Sequence, residues 1–260
     1  MKYSFMSFST PALTLKETLD AAKRFGYDGF EPRLVADHAH GLETTTPADV
    51  LIEARRMAED AGVAYSCVAT SCRLAIPELV AEQTDDAKRA VDLAEKLGCR
   101  AIRVFGGVLP EGLSREKAAE TLNASVSKLA AYGKTANVYV CLETHDHWCD
   151  PVTVGEVAKV SGCAVNWDIM HTFNMAGVAP ERSFELLRPY VRHMHIHDGK
   201  RNADGGLTLC PVGEGVIDHA TPLALMQGAG YTGYVSGEWI SWEPWEVHLP
   251  REIALLKALA

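Results

Sequence analysis

Three histidines at alternate positions, His193, His195 and His197, stand in the segment RHMHIHDGKR, followed at once by Asp198, Lys200 and Arg201. Residues two apart in a β-strand point to the same face, so the three imidazoles would form a row on one side of a sheet. Imidazole binds metals and exchanges protons near neutral pH, so a row of them at a strand end suits a site that holds a metal or a substrate. One satisfied core histidine with two solvated ones is the plainer reading, and the segment alone does not choose. Three further segments end in similar chemistry: VYVCLE stops at Glu143 before THDHW, AVNWD at Asp168 before IMHTF, and YVSGE at Glu238. A single strand-end carboxylate is often solvated or caps the next helix. Four successive strands ending this way make a shared metal site the stronger reading. Three carboxylates with one imidazole form a hard, oxygen-rich set suited to Mn²⁺, Mg²⁺ or Co²⁺, with Zn²⁺ a further candidate. A thiolate zinc site is not expected, since none of the seven cysteines has a CxxC partner.

The elements that must position these residues alternate along the 260-residue chain. Eight strands are expected at Lys2 to Phe8, Gly29 to Arg33, Val63 to Thr70, Ala101 to Gly106, Val138 to Glu143, Ala164 to Asp168, Val191 to His197 and Gly233 to Glu238. A helical pattern follows each, the last from Pro250 to Leu259. Leu13 to Arg24 has apolar residues at helical spacing, with Thr14 as N-cap and Gly26 just past the end. The phrase of Ala-rich helix, glycine and strand recurs around Gly62, Gly98, Gly162 and Gly230, and less regularly around Gly133. Glycine suits the left-handed position that closes a helix. Gly26, Gly62 and Gly98 are each 36 residues apart, the period of a repeated βα unit. Eight alternating units imply parallel pairing in a single (β/α)₈ TIM barrel, with residues 1–260 as one domain. The alternative, an open doubly wound sheet, lacks a glycine-rich phosphate loop after the first strand, where SFSTPALT stands. In a barrel, function belongs at the C-terminal ends of the strands, where the four polar ends fall.

Composition narrows the partners. With 47% hydrophobic and 23% charged residues, the chain reads as a soluble globular protein. A formal net charge of −9 argues against a surface built for nucleic acid. Seven cysteines, an odd and scattered set, read as reduced thiols of a cytoplasmic protein. The start, MKYSFMSFSTPALTLKE, lacks a continuous apolar core, and no run is long enough to span a bilayer, so neither a secretion signal nor a membrane segment is expected. A homo-oligomer is compatible with these totals.

With PVGEGVID at 211–218 and GYTGYVSGE at 230–238, these residues resemble the xylose isomerase-like superfamily, the sugar (phosphate) isomerase and epimerase barrels that also include endonuclease IV. The resemblance runs from GYDGFEPR to the closing helix. It implies metal ligands at Glu143, Asp168, His195 and Glu238, and a substrate contact at His171, the histidine of a DxxH pattern with Asp168. It also implies a substrate-binding arginine six residues after His195, which is Arg201. His193 then belongs to the packed core, while His197 either touches substrate or orients a ligand. The implied chemistry is proton transfer beside a carbonyl: the ion polarises the carbonyl and stabilises an enediolate, one of Glu143 and Glu238 removing the proton and the other returning it. His145 would join His171 and Arg201 on substrate hydroxyls, and Glu31 with Arg33 would line the opposite wall; for these two and His145 a solvated loop role stands alongside. Trp148, Trp239, Trp242 and Trp245 would pack on sugar C–H surfaces or cover the barrel mouth.

Two departures separate the chain from particular relatives. Ketose 3-epimerases carry a substrate-binding glutamate six residues after the first ligand, where this chain has Cys149. Endonuclease IV adds histidines from earlier strands, whereas here the third strand runs into Thr70, Ser71 and Cys72, and His38 and His40 read as solvated loop residues. The expected activity is isomerisation or epimerisation of a small-molecule carbohydrate, its phosphate or a keto-polyol. Dehydration of a keto-polyol, of inosose or dehydroshikimate type, is the alternative. A DNA repair enzyme and a non-catalytic sugar-binding subunit are more distant.

Overall fold

Short runs, most of them carrying β-branched or aromatic residues, form the strands β1 (Lys2–Met6), β2 (Gly29–Glu31), β3 (Ala64–Tyr65), β4 (Val68–Arg73), β5 (Ala101–Phe105), β6 (Tyr139–Glu143), β7 (Ala164–Asp168), β8 (Val191–Ile196), β9 (Asp198–Arg201), β10 (Leu207–Cys210) and β11 (Tyr234–Gly237). Between them run α1 (Leu15–Phe25), α2 (Ala48–Ala61), α3 (Val80–Leu97), α4 (Arg115–Thr135), α5 (Pro151–Ser161), α6 (Pro180–Leu187) and α7 (Ala220–Gly228), and α8 (Trp245–Leu259) closes the chain. The computed structural model describes residues 1–203 and 206–259. Nine strands pair in parallel in the order β3-β2-β1-β11-β8-β7-β6-β5-β4, giving the (β/α)₈ barrel that the alternation predicts.

The closure differs from the expected eight simple strands. The third strand is broken at Ser66 and Cys67: β3 pairs with β2, β4 pairs with β5, and a bridge from Arg33 to Ala69 joins the two edges. After β8 the chain enters an antiparallel hairpin of β9 and β10, with Arg201 opposite Leu207. These four-residue strands, DGKR and LTLC, are too short and too mixed for periodicity to reveal. The closing helix begins at Trp245, before Pro250, so Trp245 lies on the helix rather than in a rim loop.

The local signals act as their chemistry dictates. Thr14 and Glu17 form a capping box on α1, and Gly26 closes it with φ +78°. Gly133 differs from the other recurrent glycines. It lies inside α4, where a Cβ would stand 2.5 Å from the Val138 carbonyl oxygen, so the close return of the chain after the helix, not a left-handed cap, requires it. Phe5, Phe30, Ile102, Val104, Leu142, Val165, Trp167, Met194 and Val235 belong to the buried apolar core. Residues alternating with these along the strands include Ser4, Glu31, Arg103, Asn166, His193 and Ser236, all buried, so the barrel interior is polar. No helix among the described residues is long and apolar enough to cross a membrane.

The loop after β2 carries His40, which is buried rather than solvated. Its Nδ1 accepts a hydrogen bond from the Leu42 backbone N–H at 3.1 Å, so protonation there would break that bond. Burial and the neighbouring His38 push its pKa down to about 4. Since this lies below the unfolded value of about 6.5, the stabilisation is complete above that value and is lost as pH falls through 4. We expect His40 to account for ~2–3 kcal/mol of stability lost between pH 7 and 4. Urea unfolding of wild type and His40→Asn at both pH values checks this; an unchanged pH dependence in the variant would count against it.

Candidate metal and substrate site

Four strand ends that are neighbours in the sheet, those of β6, β7, β8 and β11, bring Glu143, Asp168, His195 and Glu238 together. Asp168 is paired with His195 across β7 and β8, and Glu238 follows β11, its backbone N–H donating to the Ile196 carbonyl at 3.1 Å. One donor atom from each residue lies within 4.8 Å of all the others, and all four residues are buried. His195 Nδ1 is 2.7 Å from Glu143 Oε1 and 3.3 Å from Glu238 Oε2.

Beneath this group lies a layer that sequence reasoning placed elsewhere. Glu31 is fully buried, not on an opposite wall: His193 Nε2 donates to one of its oxygens at 2.8 Å and His195 Nε2 to the other at 3.1 Å. The Glu31 carboxylate therefore orients the His195 ring so that Nδ1 faces the other carboxylates. His193 fills the barrel interior as a core residue, with a specific partner.

Arg103, which sequence reasoning did not single out, donates to Glu143 Oε2 at 2.7 Å, both side chains being almost wholly buried. Its signal was a lone cation facing inward in the strand AIRVF. Burial opposes the charge of Glu143, but Arg103 and His195 outweigh it and hold the carboxyl well below the usual range. Burial likewise opposes the charge of Glu31, which His193 and His195 more than offset. At Glu238 burial is outweighed by His195, and at Asp168 by His171 and His197, so both carboxyls remain ionised.

The donor set fits a divalent cation. Asp168 Oδ2 is buried without a well-formed hydrogen bond, its neighbours being His197 Nε2 at 3.2 Å and His171 Nε2 at 4.0 Å. Three buried carboxylates converge there with one imidazole, an oxygen-rich donor set of the kind that holds a divalent cation.

Around the rim the imidazoles continue in a row. The His145 and His171 ring centres are 4.0 Å apart, and those of His171 and His197 6.0 Å. His171 is tied to the buried carboxylate group by its backbone N–H, which donates to Asp168 Oδ1 at 3.0 Å. Burial would lower the pKa of His197, but Asp168 raises it to about 9. His145 pairs with Asp146 at 2.9 Å and lies against Phe105. Arg33 stands at the end of β2, its pKa lowered to about 10 by burial and by Arg103 against the pull of Glu238 and Glu143.

Arg201 is exposed at the end of β9 on the hairpin. The hairpin itself forms one wall of a cavity of about 260 Å³, in which Leu207 and Leu209 face Met170, His197, Glu238 and Ile240. The tryptophans divide. Trp148 and Trp239 are fully buried, while Trp242 and Trp245 are half-buried.

Asp198, next to His197, ties the rim together. Its carboxylate accepts backbone N–H bonds from Gly199, Gly213, Gly215 and Ile217, at 2.8, 3.0, 3.0 and 3.2 Å, fastening the PVGEGVID loop to the hairpin. Glu238 is placed by close packing: a Cβ on Gly237 would lie 2.1 Å from the Trp239 indole. Gly237→Ala is therefore expected to destabilise the fold by ~1–3 kcal/mol and to displace Glu238. Denaturant midpoints and metal affinity measure the two effects, and a variant equal to wild type in both would show that the indole yields freely.

The profile of the xylose isomerase-like TIM barrel family matches residues 19–259, and the chain belongs to that family. Among solved structures it is similar to the probable 3-DHS dehydratase AsbF, involved in petrobactin synthesis, from Bacillus anthracis, with a TM-score of 0.82, 19% identity and 99% of each chain covered. It is similar to 3-keto-D-glucoside 4-epimerase YcjR from E. coli, with a TM-score of 0.80, 17% identity and 99% of each chain covered. A third is a xylose isomerase-like TIM barrel protein from Mycobacterium smegmatis in complex with magnesium, with a TM-score of 0.76, 15% identity, and 99% of this chain and 96% of that one covered. No curated protein matches the sequence.

Proposed function

We propose that the chain is a divalent-metal-dependent isomerase or epimerase of a small carbohydrate, its phosphate or a keto-polyol, acting by proton transfer beside a carbonyl. The observation that carries this reading is the convergence of four buried donors, in which Glu143 and Glu238 approach His195 from strands separated by β7 and β8. A divalent ion held by Glu143, Asp168, His195 and Glu238, with Mn²⁺, Mg²⁺ or Co²⁺ best suited, supplies Lewis acidity toward a carbonyl oxygen. Glu143 and Glu238 move the proton, one removing it from the carbon beside the carbonyl and the other returning it. Arg103 keeps Glu143 ionised and in position. His171, His145 and His197 hold substrate hydroxyls along the rim, and Arg201 approaches from the hairpin. The apolar faces of Leu207, Leu209 and Met170 limit water at the reacting carbon.

Dehydration of a keto-polyol is the second reading. Half-buried Cys149, which cannot accept a charged hydrogen bond as a glutamate does, stands where 3-epimerases bind substrate with that residue. Incubation of the metal-loaded protein in D₂O with ketoses, their phosphates and keto-inositols tests both. Deuterium uptake into a product of unchanged molecular formula supports isomerisation or epimerisation, and a product lighter by one water supports dehydration. Absence of exchange and of turnover across the panel would remove the catalytic reading.

A further inference from the structure

A second cavity, of about 820 Å³, opens at the opposite end of the barrel, where the strands begin. Lys2, Arg100, Arg188 and Arg192 line it, and no aspartate or glutamate does. This end of a TIM barrel ordinarily serves stability, and the chain as a whole carries a net charge of −9, so four cations about one concavity run against its average.

These cations have neutral partners. Among the described residues none of the four forms an ion pair. The Arg100 and Arg192 guanidinium carbons lie 5.9 and 5.4 Å from the centre of the Tyr139 ring, and Lys2 Nζ lies 5.3 Å from that of Tyr234. Arg100 donates to Asn137 Oδ1 at 2.8 Å, and Arg192 to the Pro189 and Val191 carbonyls at 3.2 and 2.7 Å. These contacts orient the guanidinium groups without neutralising them. Ser66, at the break between β3 and β4, also lines the cavity; it is 5% exposed and its hydroxyl has no hydrogen-bond partner. Unpaired surface cations are common, but solvation alone accounts neither for their gathering around a volume of small-molecule size nor for the buried hydroxyl beside them.

We propose that this cavity binds a small organic phosphate, its phosphoryl group held by Arg100 and Arg192 and its organic part against Tyr139 and Tyr234. Guanidinium groups pair bidentately with phosphate oxygens, and tyrosine faces pack against rings. Tyr139 and Glu143 stand at opposite ends of β6, so the site is separate from the metal ligands and does not depend on the catalytic reading.

Calorimetric titration of the full, metal-loaded chain with inorganic phosphate, a hexose phosphate and a nucleoside monophosphate tests this. An organic phosphate is expected to bind with Kd at or below about 1 mM, more weakly at high salt. Arg100→Gln/Arg192→Gln should weaken nucleoside monophosphate binding at least ~10-fold, and Lys16→Gln, at an exposed lysine of α1 outside the cavity, should leave it unchanged. If the double variant misfolds, exposed Lys2→Gln and Arg188→Gln carry the same expectation. No binding of any probe to ~10 mM, or nucleoside monophosphate binding kept at wild-type strength in the double variant, overturns the assignment. Inorganic phosphate binding as tightly as both organic probes overturns the part given to the tyrosines.

Discussion

Glu143→Gln and Glu238→Gln are each expected to reduce turnover by ~10²–10⁴-fold or more and to abolish solvent proton exchange at the substrate carbon. An amide keeps the shape of the side chain but neither accepts the proton nor carries the ligand charge. The two variants should separate in stability. Glu143 is the ion-pair partner of buried Arg103, so its loss leaves an uncompensated interior cation, expected to cost ~3–5 kcal/mol. Glu238 has no arginine partner among the described residues, so with both proteins metal-free its variant should stay close to wild type in unfolding. Deuterium exchange followed by mass spectrometry, with urea unfolding of both variants, reads the two effects. Exchange at the wild-type rate in either variant would remove that glutamate from proton transfer. Equal stabilities would show that Arg103 does not depend on Glu143.

Removal of the metal is expected to abolish turnover and to lower the unfolding temperature, and addition of Mn²⁺, Mg²⁺ or Co²⁺ to restore both. The physical basis is the convergence of Glu143, Asp168 and Glu238 in a buried space, with one Asp168 oxygen lacking a hydrogen bond. A cation at 100 times its Kd would add ~2.7 kcal/mol of stability by binding the folded state alone. Elemental analysis should find about one equivalent per chain in wild type and a sharp loss in Asp168→Asn, which keeps the volume and removes a ligand charge. A fully active chain after exhaustive chelation would refute the metal's role.

The alternation of strand and helix, the helix-closing glycines and the strand-end carboxylates were legible because each is a local pattern. Period-two and period-3.6 hydrophobicity and left-handed glycine caps depend on a few residues at a time. The hairpin of β9 and β10 was not, being a separate sheet whose four-residue strands are too short for periodicity to show, and neither was the break of the third strand, since it falls where the barrel closes. The deeper half of the site was hidden for the same reason. Glu31 and His193 are 162 residues apart and Arg103 and Glu143 are 40 apart, and nothing local connects either pair.

By itself, then, the sequence determined the fold class and the identity of the groups available for chemistry: carboxylates and an imidazole at the ends of successive strands. Tertiary structure decided their surroundings. Barrel closure brought β2 within reach of β8, making Glu31 a buried acceptor that orients His195 instead of a wall residue. It also buried Arg103 against Glu143, where desolvation makes the pair obligatory and keeps the carboxylate charged. Which faces of distant strands meet depends on the stagger and curvature of the whole sheet, and no single segment encodes that.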